Sequence, residues 1–398
     1  MLKLIWTPSV AAPPDAAAYK NASDTLTASY GDDEATASLP RDPAAPPPQL
    51  DAVTGVIRSW LAARTVPHAP VKLMLHGYNF DPRHPGDAAF DPFMTVYGYP
   101  GENGPNFRLS WLPLVEECDN NGAHHQETAI AFAWTSTGSL AEYATAGWAE
   151  SYEYACVDLV CIAARAVAAV LGILAAENVA VDVLAHSLGT RLFTQAVRLY
   201  GGANLPLNNV ILLDGAEFSV DAAATFASRG FGVVNVTNEV DAVLAAGGEQ
   251  LGDPSRQPGS VASCCLGRFG LGTMQSWQAI GTYPANWVDI ALDRRDVQAW
   301  FKANGGYTLT PTSTDTVHPL ASLNHWACYT ELGNRVWVTD LLWKPSVSAA
   351  ALAKTNLPRG ILGDVQPVFA GIGIPTTTPM TLQARMTYQQ SAPQGGGG

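Results

Sequence analysis

The chain predicts an α/β fold with a mostly parallel central sheet and helices on both faces. Three observations carry that expectation. Short apolar, β-prone runs occur at 71–75, 181–184, 209–213 and 232–237, helix-forming stretches separate them, and Ser187 stands where a strand runs into a helix. Apolar strands alternating with helical segments are the pattern of parallel strands joined by helical crossovers and covered on both faces.

Taken in order, residues 1–50 are rich in Ala, Pro and Asp and end in Pro46-Pro47-Pro48, which reads as an extended arm adding at most one early strand. Asp51 to Arg64 is helical, with Val53, Val56, Ile57, Trp60 and Leu61 on one face. Val157 to Ala176 has about the length of a membrane span. It holds Asp158 and Arg165 and lies just before the Ser187 strand, so a buried crossover helix is expected there and no stable membrane span. Further helices are expected at Glu217–Phe226 and Asp293–Ala303. The domain then covers residues 51–345, with insertions at about 81–126 and 245–322. Residues 346–398 form a C-terminal extension whose Gly395–Gly398 tail should be mobile. Both insertions leave the sheet at its C-terminal edge and so are expected to form a lid over Ser187. Their aromatic residues, Phe90, Phe93, Tyr97, Tyr99, Phe107, Trp111, Phe269, Trp277, Tyr283 and Trp287, would either line an apolar pocket or pin the lid to the core.

Chemistry concentrates at Ala185-His186-Ser187-Leu188-Gly189. A serine flanked by small residues two places either side, between a strand and a helix, is the pattern of a nucleophile elbow, a turn too tight for larger neighbours. About a hundred residues upstream, the strand at 71–75 runs into His76-Gly77-Tyr78-Asn79. On this reading the backbone N–H groups of Tyr78 and Leu188 form an oxyanion hole, each donor contributing about 3 kcal/mol. An acid and a histidine should follow the serine in that order. Asp241, after the strand at 232–237, is the first choice of acid. Asp214 is the alternative, its other reading being a cap for the next helix, and Glu239 reads as a solvated loop charge. His325 is the favoured base, in a loop entering an aromatic segment, and His318 is the alternative, constrained by Pro319. His186 belongs to the elbow and should pack behind the sheet without acting as the base.

Leu75-His76-Gly77-Tyr78-Asn79, Ile130–Trp134 with Thr135-Ser136-Thr137-Gly138, the run from Ala185 to Arg191, and Asn238–Leu244 together resemble a bacterial α/β-hydrolase family of poorly characterised esterase- and lipase-like proteins. That family carries a His-Gly-Tyr-Asn strand end and an Ala-His-Ser-Met-Gly-Asn-Arg type of elbow. Leu188 and Thr190 replace its methionine and asparagine, and the segments after Asn79 and Asp241 are long. The resemblance covers roughly residues 68–250 and implies an α/β-hydrolase fold and hydrolase chemistry.

The expected activity is hydrolysis of a small-molecule carboxylic ester through Ser187, His325 and Asp241 and an acyl-enzyme, with an apolar acyl or aryl group and no cofactor. Acyl transfer to an alcohol by the same triad, or a binding protein that keeps the fold, are the alternatives. A net charge of -13 argues against nucleic acid as a partner. Met1–Trp6 is too short an apolar run for a signal peptide, so a cytoplasmic location is expected. The six cysteines include no CxxC pair, so reduced thiols and no structural metal are expected, with Cys264-Cys265 packed in a lid loop.

Overall fold

Val71–Leu75, Ala129–Trp134 and Val181–His186 are buried at every position, as parallel strands covered on both faces must be. They are the centre of an α/β architecture. The computed structural model describes residues 1–9, 22–41, 48–65, 67, 69–87, 90–98, 110–115, 128–137, 152, 154–201, 205–226, 229–245, 265–271, 286–314 and 323–343. Through these the chain forms β1 (Leu2–Thr7), β2 (Ser23–Tyr30), β3 (Asp33–Pro40), α1 (Asp51–Ala62), β4 (Val71–Leu75), α2 (Leu112–Val115), β5 (Ala129–Trp134), α3 (Val160–Ala176), β6 (Val181–His186) and α4 (Leu188–Tyr200). It continues as β7 (Leu207–Leu213), α5 (Ser219–Phe226), β8 (Gly232–Thr237), α6 (Leu266–Phe269), β9 (Trp287–Ala291), α7 (Arg295–Gly305), α8 (Ala327–Thr330) and α9 (Leu332–Trp343).

The strands make one sheet in the order β3-β2-β1-β5-β4-β6-β7-β8-β9, parallel from β1 to β9. Alternate strand residues feed two cores. Leu73, Leu75, Phe132 and Val183 pack with α1, α3, α4 and α5 on one face. Met74, Ala131, Leu184, Ile211 and Val234 pack on the other face with a π-helical turn at Phe93–Tyr97, with α7 and with α9 through Trp337 and Leu341. The stretch Ala155–Ala176 is long and apolar enough to cross a membrane by length and composition. Here it connects β5 to β6 past β4 and buries residues such as Leu159, Val167 and Leu171 in the first core.

Residues 1–50 depart from the expected arm with one strand at most. β1 joins β5 in parallel, with Leu4 opposite Phe132, and β2 and β3 extend the sheet in antiparallel pairing. Their burial alternates along β1 and β2, which suits strands with one covered face. Tyr30 pairs with Asp33 around the two-residue turn Gly31-Asp32. The end of β3 is sealed by Arg41, whose guanidinium grips the buried Asp24 carboxylate at 2.8–3.1 Å while its carbonyl accepts a hydrogen bond from Arg165 of α3.

The insertions are also built differently from the expected lid wherever they are described. Phe93, Tyr97 and Trp111 lie in the second core and Trp287 lies in β9, all buried. The segment 287–305 supplies the last strand and a covering helix. Cys265 is buried at the start of α6, beside the Gly215 carbonyl. Tyr99, Phe107, Cys118, Cys264, Trp277, Tyr283 and the whole of 346–398 lie outside the described residues.

One topological feature positions a site. From β4 the chain steps to β5 on one side, then crosses back so that β6 lies on the other side of β4. Connections leaving β4 and β6 in opposite directions open a crevice at their C-terminal ends, where open α/β sheets bind ligands. At the opposite end, Lys72 of β4 and Asp182 of β6 are register partners and form a fully buried ion pair. Lys72 also donates to the Leu342 carbonyl at the end of α9, and Asp182 accepts from Asn208 Nδ2 and the Asn209 N–H. Replacing only the cation strands a buried carboxylate, so Lys72→Met should reduce the unfolding free energy by about 3–5 kcal/mol in urea titrations. Adding Asp182→Asn should restore part of it; equal stability of Lys72→Met and wild type would show that the pair contributes nothing.

Candidate functional site

Sheet register brings together residues far apart in sequence. Leu75 pairs with Ala185, so His76-Gly77 and His186-Ser187 emerge side by side. His186 pairs with Leu213, which places Asp214 beside Ser187, and the Asp214 N–H donates to Val236 of β8. Asp241 follows four residues beyond the end of β8. Every one of these residues lies at the C-terminal edge of the sheet.

Ser187 has φ 52° and ψ -125°, outside the conformations an L-residue adopts comfortably. The surroundings hold it there. Its N–H donates to Leu213, and its carbonyl accepts from the Thr190 and Ala216 N–H groups. A side chain on Gly189 would run into the Leu75 and His76 carbonyls, so glycine lets the first turn of α4 approach the end of β4. A Cβ on Gly77 would stand 2.8 Å from Ser187 Cβ and 3.2 Å from Oγ, so the loop after β4 lies directly against the serine side chain. Leu188 begins α4, where N–H groups lack helical partners and the helix dipole favours negative charge.

The loop carrying Tyr78 is fixed from below by His76. Trp134 N–H donates to His76 Nε2 at 3.1 Å, so the ring proton is on Nδ1, which donates to the Gly77 carbonyl at 2.8 Å. Trp134 Nε1–H returns to the His76 carbonyl, and the Tyr97 hydroxyl accepts from the His76 N–H. Complete burial pushes the His76 pKa down to about 3 against the smaller opposing effect of the Gly77 carbonyl, so the ring is neutral. Beyond Tyr78, the Asn79 N–H donates to the Ser136 carbonyl, the Ser136 N–H donates to the Phe80 carbonyl, and the Phe80 N–H donates to Ser136 Oγ, tying this loop to the end of β5. The Tyr78 ring meets Tyr152 edge-on.

His325 and Asp241 form the polar pair of the site. His325 Nδ1 and Asp241 Oδ2 are 2.6 Å apart, with both side chains almost wholly buried. Asp241 Oδ1 accepts the Leu244 N–H, which fixes the carboxylate plane. Asn324, at φ 61°, turns the chain into His325, donates to the Val240 carbonyl and accepts from the Ser313 N–H. The segment carrying His325 is thereby joined to the loop carrying Asp241. His318 lies outside the described residues.

Asp214 differs from its two sequence readings. It caps no helix, and it is not the carboxylate bonded to His325. It sits at φ 42°, fully buried, with the Cys328 thiol as the hydrogen-bonding neighbour of its carboxyl group. The backbone of α6 lies across it, since a Cβ on Gly267 would collide with the Asp214 carbonyl carbon. Burial, reinforced by the Asp241 charge, pushes its pKa well above the ordinary carboxylate value. Glu239, read as a solvated charge, is half-buried, and its N–H donates to Asp293, whose pKa burial and the Glu239 charge push up to about 6.

His186 is the residue whose position sequence reasoning missed. It packs against the base segment: its ring centroid is 4.6 Å from that of His325 and 4.9 Å from that of Tyr329, and Nε2 is 3.1 Å from the His325 carbonyl. Burial and the neighbouring His325 hold its pKa well below the usual histidine value. Arg191, on the first turn of α4, is paired at 3.0 Å with buried Glu217 and braces the loop after β7. Among the described residues no group of three or more His, Cys, Asp or Glu side chains is arranged to hold a metal ion.

The two neutral histidines make stability acid-sensitive. In the unfolded chain each gains a proton below its ordinary value of about 6.5, whereas the folded protein refuses it until near pH 3 for His76. The His76 contribution is therefore present above pH 6.5 and lost as pH falls toward 3, by up to about 1.4 kcal/mol per pH unit, and that of His186 has the same sign. In urea titrations between these limits, His76→Gln should show a slope shallower by about one proton than wild type. An unchanged slope would mean that folded His76 is charged.

No protein-family model, curated protein or solved structure matches the chain.

Proposed function

We propose that the chain is a serine hydrolase of the α/β-hydrolase kind that cleaves carboxylic esters. The observation that carries this reading is the buried His325–Asp241 pair at the same sheet edge as a strained, strand-to-helix serine. The three occur in the chain order serine, acid, histidine, as in that fold. The crevice at the β4–β6 switch point is where the substrate carbonyl would lie.

Chemically, Nδ1 of His325 is committed to Asp241, so Nε2 takes the Ser187 proton as Oγ attacks the ester carbonyl. The carbonyl π electrons move onto oxygen, and the Tyr78 and Leu188 N–H groups receive that oxyanion, helped by the positive end of α4. Collapse breaks the ester C–O bond, the alkoxide leaves with the proton from His325, and an acyl-Ser187 remains. Water then repeats the sequence with hydroxyl in place of Oγ and frees the acid. Asp241 orients the imidazole and stabilises its cationic form without taking the proton. A small-molecule ester with an apolar acyl or aryl group suits an edge built from buried aliphatic and aromatic residues.

A fluorophosphonate probe should label Ser187 alone, and Ser187→Ala should abolish both labelling and p-nitrophenyl ester cleavage. Retention of either by the variant would sink the proposal. Asp241→Asn should lower turnover on the order of 10⁴-fold with little loss of folded protein, as removal of the orienting charge does in such triads. Asp214→Asn should be mild, because the carboxylate on His325 Nδ1 is that of Asp241; the reverse ranking would make Asp214 the orienting acid.

Gly77→Ala provides a separate check on the loop after β4. Its added methyl displaces the Ser187 side chain, and a shift near 1 Å should slow labelling on the order of 10²-fold. A labelling rate equal to wild type would show that the contact with Ser187 does not position the nucleophile.

A further inference from the structure

His186 ends β6 and precedes Ser187 directly, so its backbone belongs to the frame that holds the nucleophile. Its side chain leaves that frame toward the base. The residue is 4% exposed, its ring bordered edge-on by Trp111 at 6.3 Å and Tyr329 at 4.9 Å and tilted against His325 at 4.6 Å. A neutral imidazole has a single N–H. With Nε2 at 3.1 Å from the His325 carbonyl oxygen, that nitrogen carries the proton and donates it. Among the described residues the same carbonyl has the Cys328 thiol at 4.0 Å as its further hydrogen-bond contact, a weak donor at long range. His325 is thus held at three points: Asp241 on its ring, Asn324 on the residue before it, and His186 on its own carbonyl.

We infer that His186 is a positioning residue for His325, donating Nε2–H to the His325 carbonyl and so fixing the distance between base and nucleophile. This rests on the hydrolase reading of Ser187. A phenylalanine would fill the same aromatic enclosure, so what histidine adds is the donor. The hydrogen bond joins the residue before the nucleophile to the base itself, and no intervening element can drift. Displacements near 1 Å between reacting groups cost on the order of 10²-fold in rate, and a link this short holds the separation more tightly than packing does.

The test compares wild type with His186→Phe, His186→Gln and His186→Asn in the full chain. Two quantities are read per folded molecule: kcat and KM on a p-nitrophenyl ester, and the rate of Ser187 labelling by a fluorophosphonate. Phenylalanine keeps the ring and removes the donor. It should lower kcat and labelling together on the order of 10²-fold with KM within about twofold. Glutamine places an amide N–H near the position of Nε2 and should return the rates to within about tenfold of wild type, whereas the shorter asparagine should not. A purely structural role would change the amount of folded protein and leave kcat per labelled serine as it was. Wild-type kcat in His186→Phe overturns the inference. Should that variant not fold, equal rates for the glutamine and asparagine variants overturn it. A wild-type protein that does not label at Ser187 removes the hydrolase reading and the inference with it; one that labels while His186→Phe labels as fast removes the inference alone.

Discussion

The close approach of α4 to the end of β4 is the constraint on which the rest of the site depends. Gly189 brings the first helical turn against the Leu75 and His76 carbonyls, and Gly77 brings the following loop against Ser187. Neither contact leaves room for a Cβ. With the two backbones this near, the strand cannot enter the helix through a relaxed turn, and Ser187 takes a positive φ that its hydrogen bonds to Leu213, Thr190 and Ala216 sustain. The parallel register between β4 and β6 delivers both loops to the same place. Any slip in that register would separate Gly77 from Ser187 and turn every alternating side chain to the wrong core.

Electrostatics at this edge follow from dryness. Burial disfavours the charged form of groups without an opposite charge: it holds the His76 and His186 pKa values down and, together with the charge on Asp241, pushes that of Asp214 up. Charge is left where it is compensated. Asp241 faces His325 and the Leu244 N–H, and Glu217 faces Arg191. Low local dielectric strengthens the His325–Asp241 interaction and would strengthen hydrogen bonds to an oxyanion. It also makes acid the natural stress on this fold, since two histidines must stay uncharged for it to persist.

Much of this was legible in the sequence where a strong local pattern coincided with a structural need. The apolar runs at 71–75, 181–186 and 232–237 lie in strands because parallel strands under two helical layers tolerate few polar residues, and the lone Lys72 and Asp182 pair with each other. Asp241 and His325 could be named from their order after Ser187. The N-terminal strands were obscured by flanking Pro and Ala, although Ser23–Tyr30 alternates in burial and Gly31-Asp32 is a two-residue turn. β9 was hidden for another reason: Trp287 read as a lid aromatic, whereas position in the sheet depends on pairing with Val233, which local pattern does not reveal. His186 was misjudged on the same ground. Its neighbours His325, Tyr329 and Trp111 are distant in sequence, and only the sheet edge brings them together.

The base segment is fastened to the two central strands at both of its ends. Lys72 of β4, held by Asp182 of β6, donates to the Leu342 carbonyl at the end of α9. His186, at the other end of β6, engages the carbonyl of His325 ahead of α8. Between these ends, Asn334 of α9 donates to the Ala327 and Thr310 carbonyls, and Arg335 donates to the Tyr329 and Ser110 carbonyls. The segment 325–342 therefore spans the sheet from its N-terminal to its C-terminal edge and is clamped by the strand that also carries Ser187. His325 and Ser187 are thus tied to the same strand even though 138 positions separate them in the chain. The buried Lys72–Asp182 pair at the far end of the sheet contributes to this arrangement by holding the end of α9 against β4 through the Leu342 carbonyl.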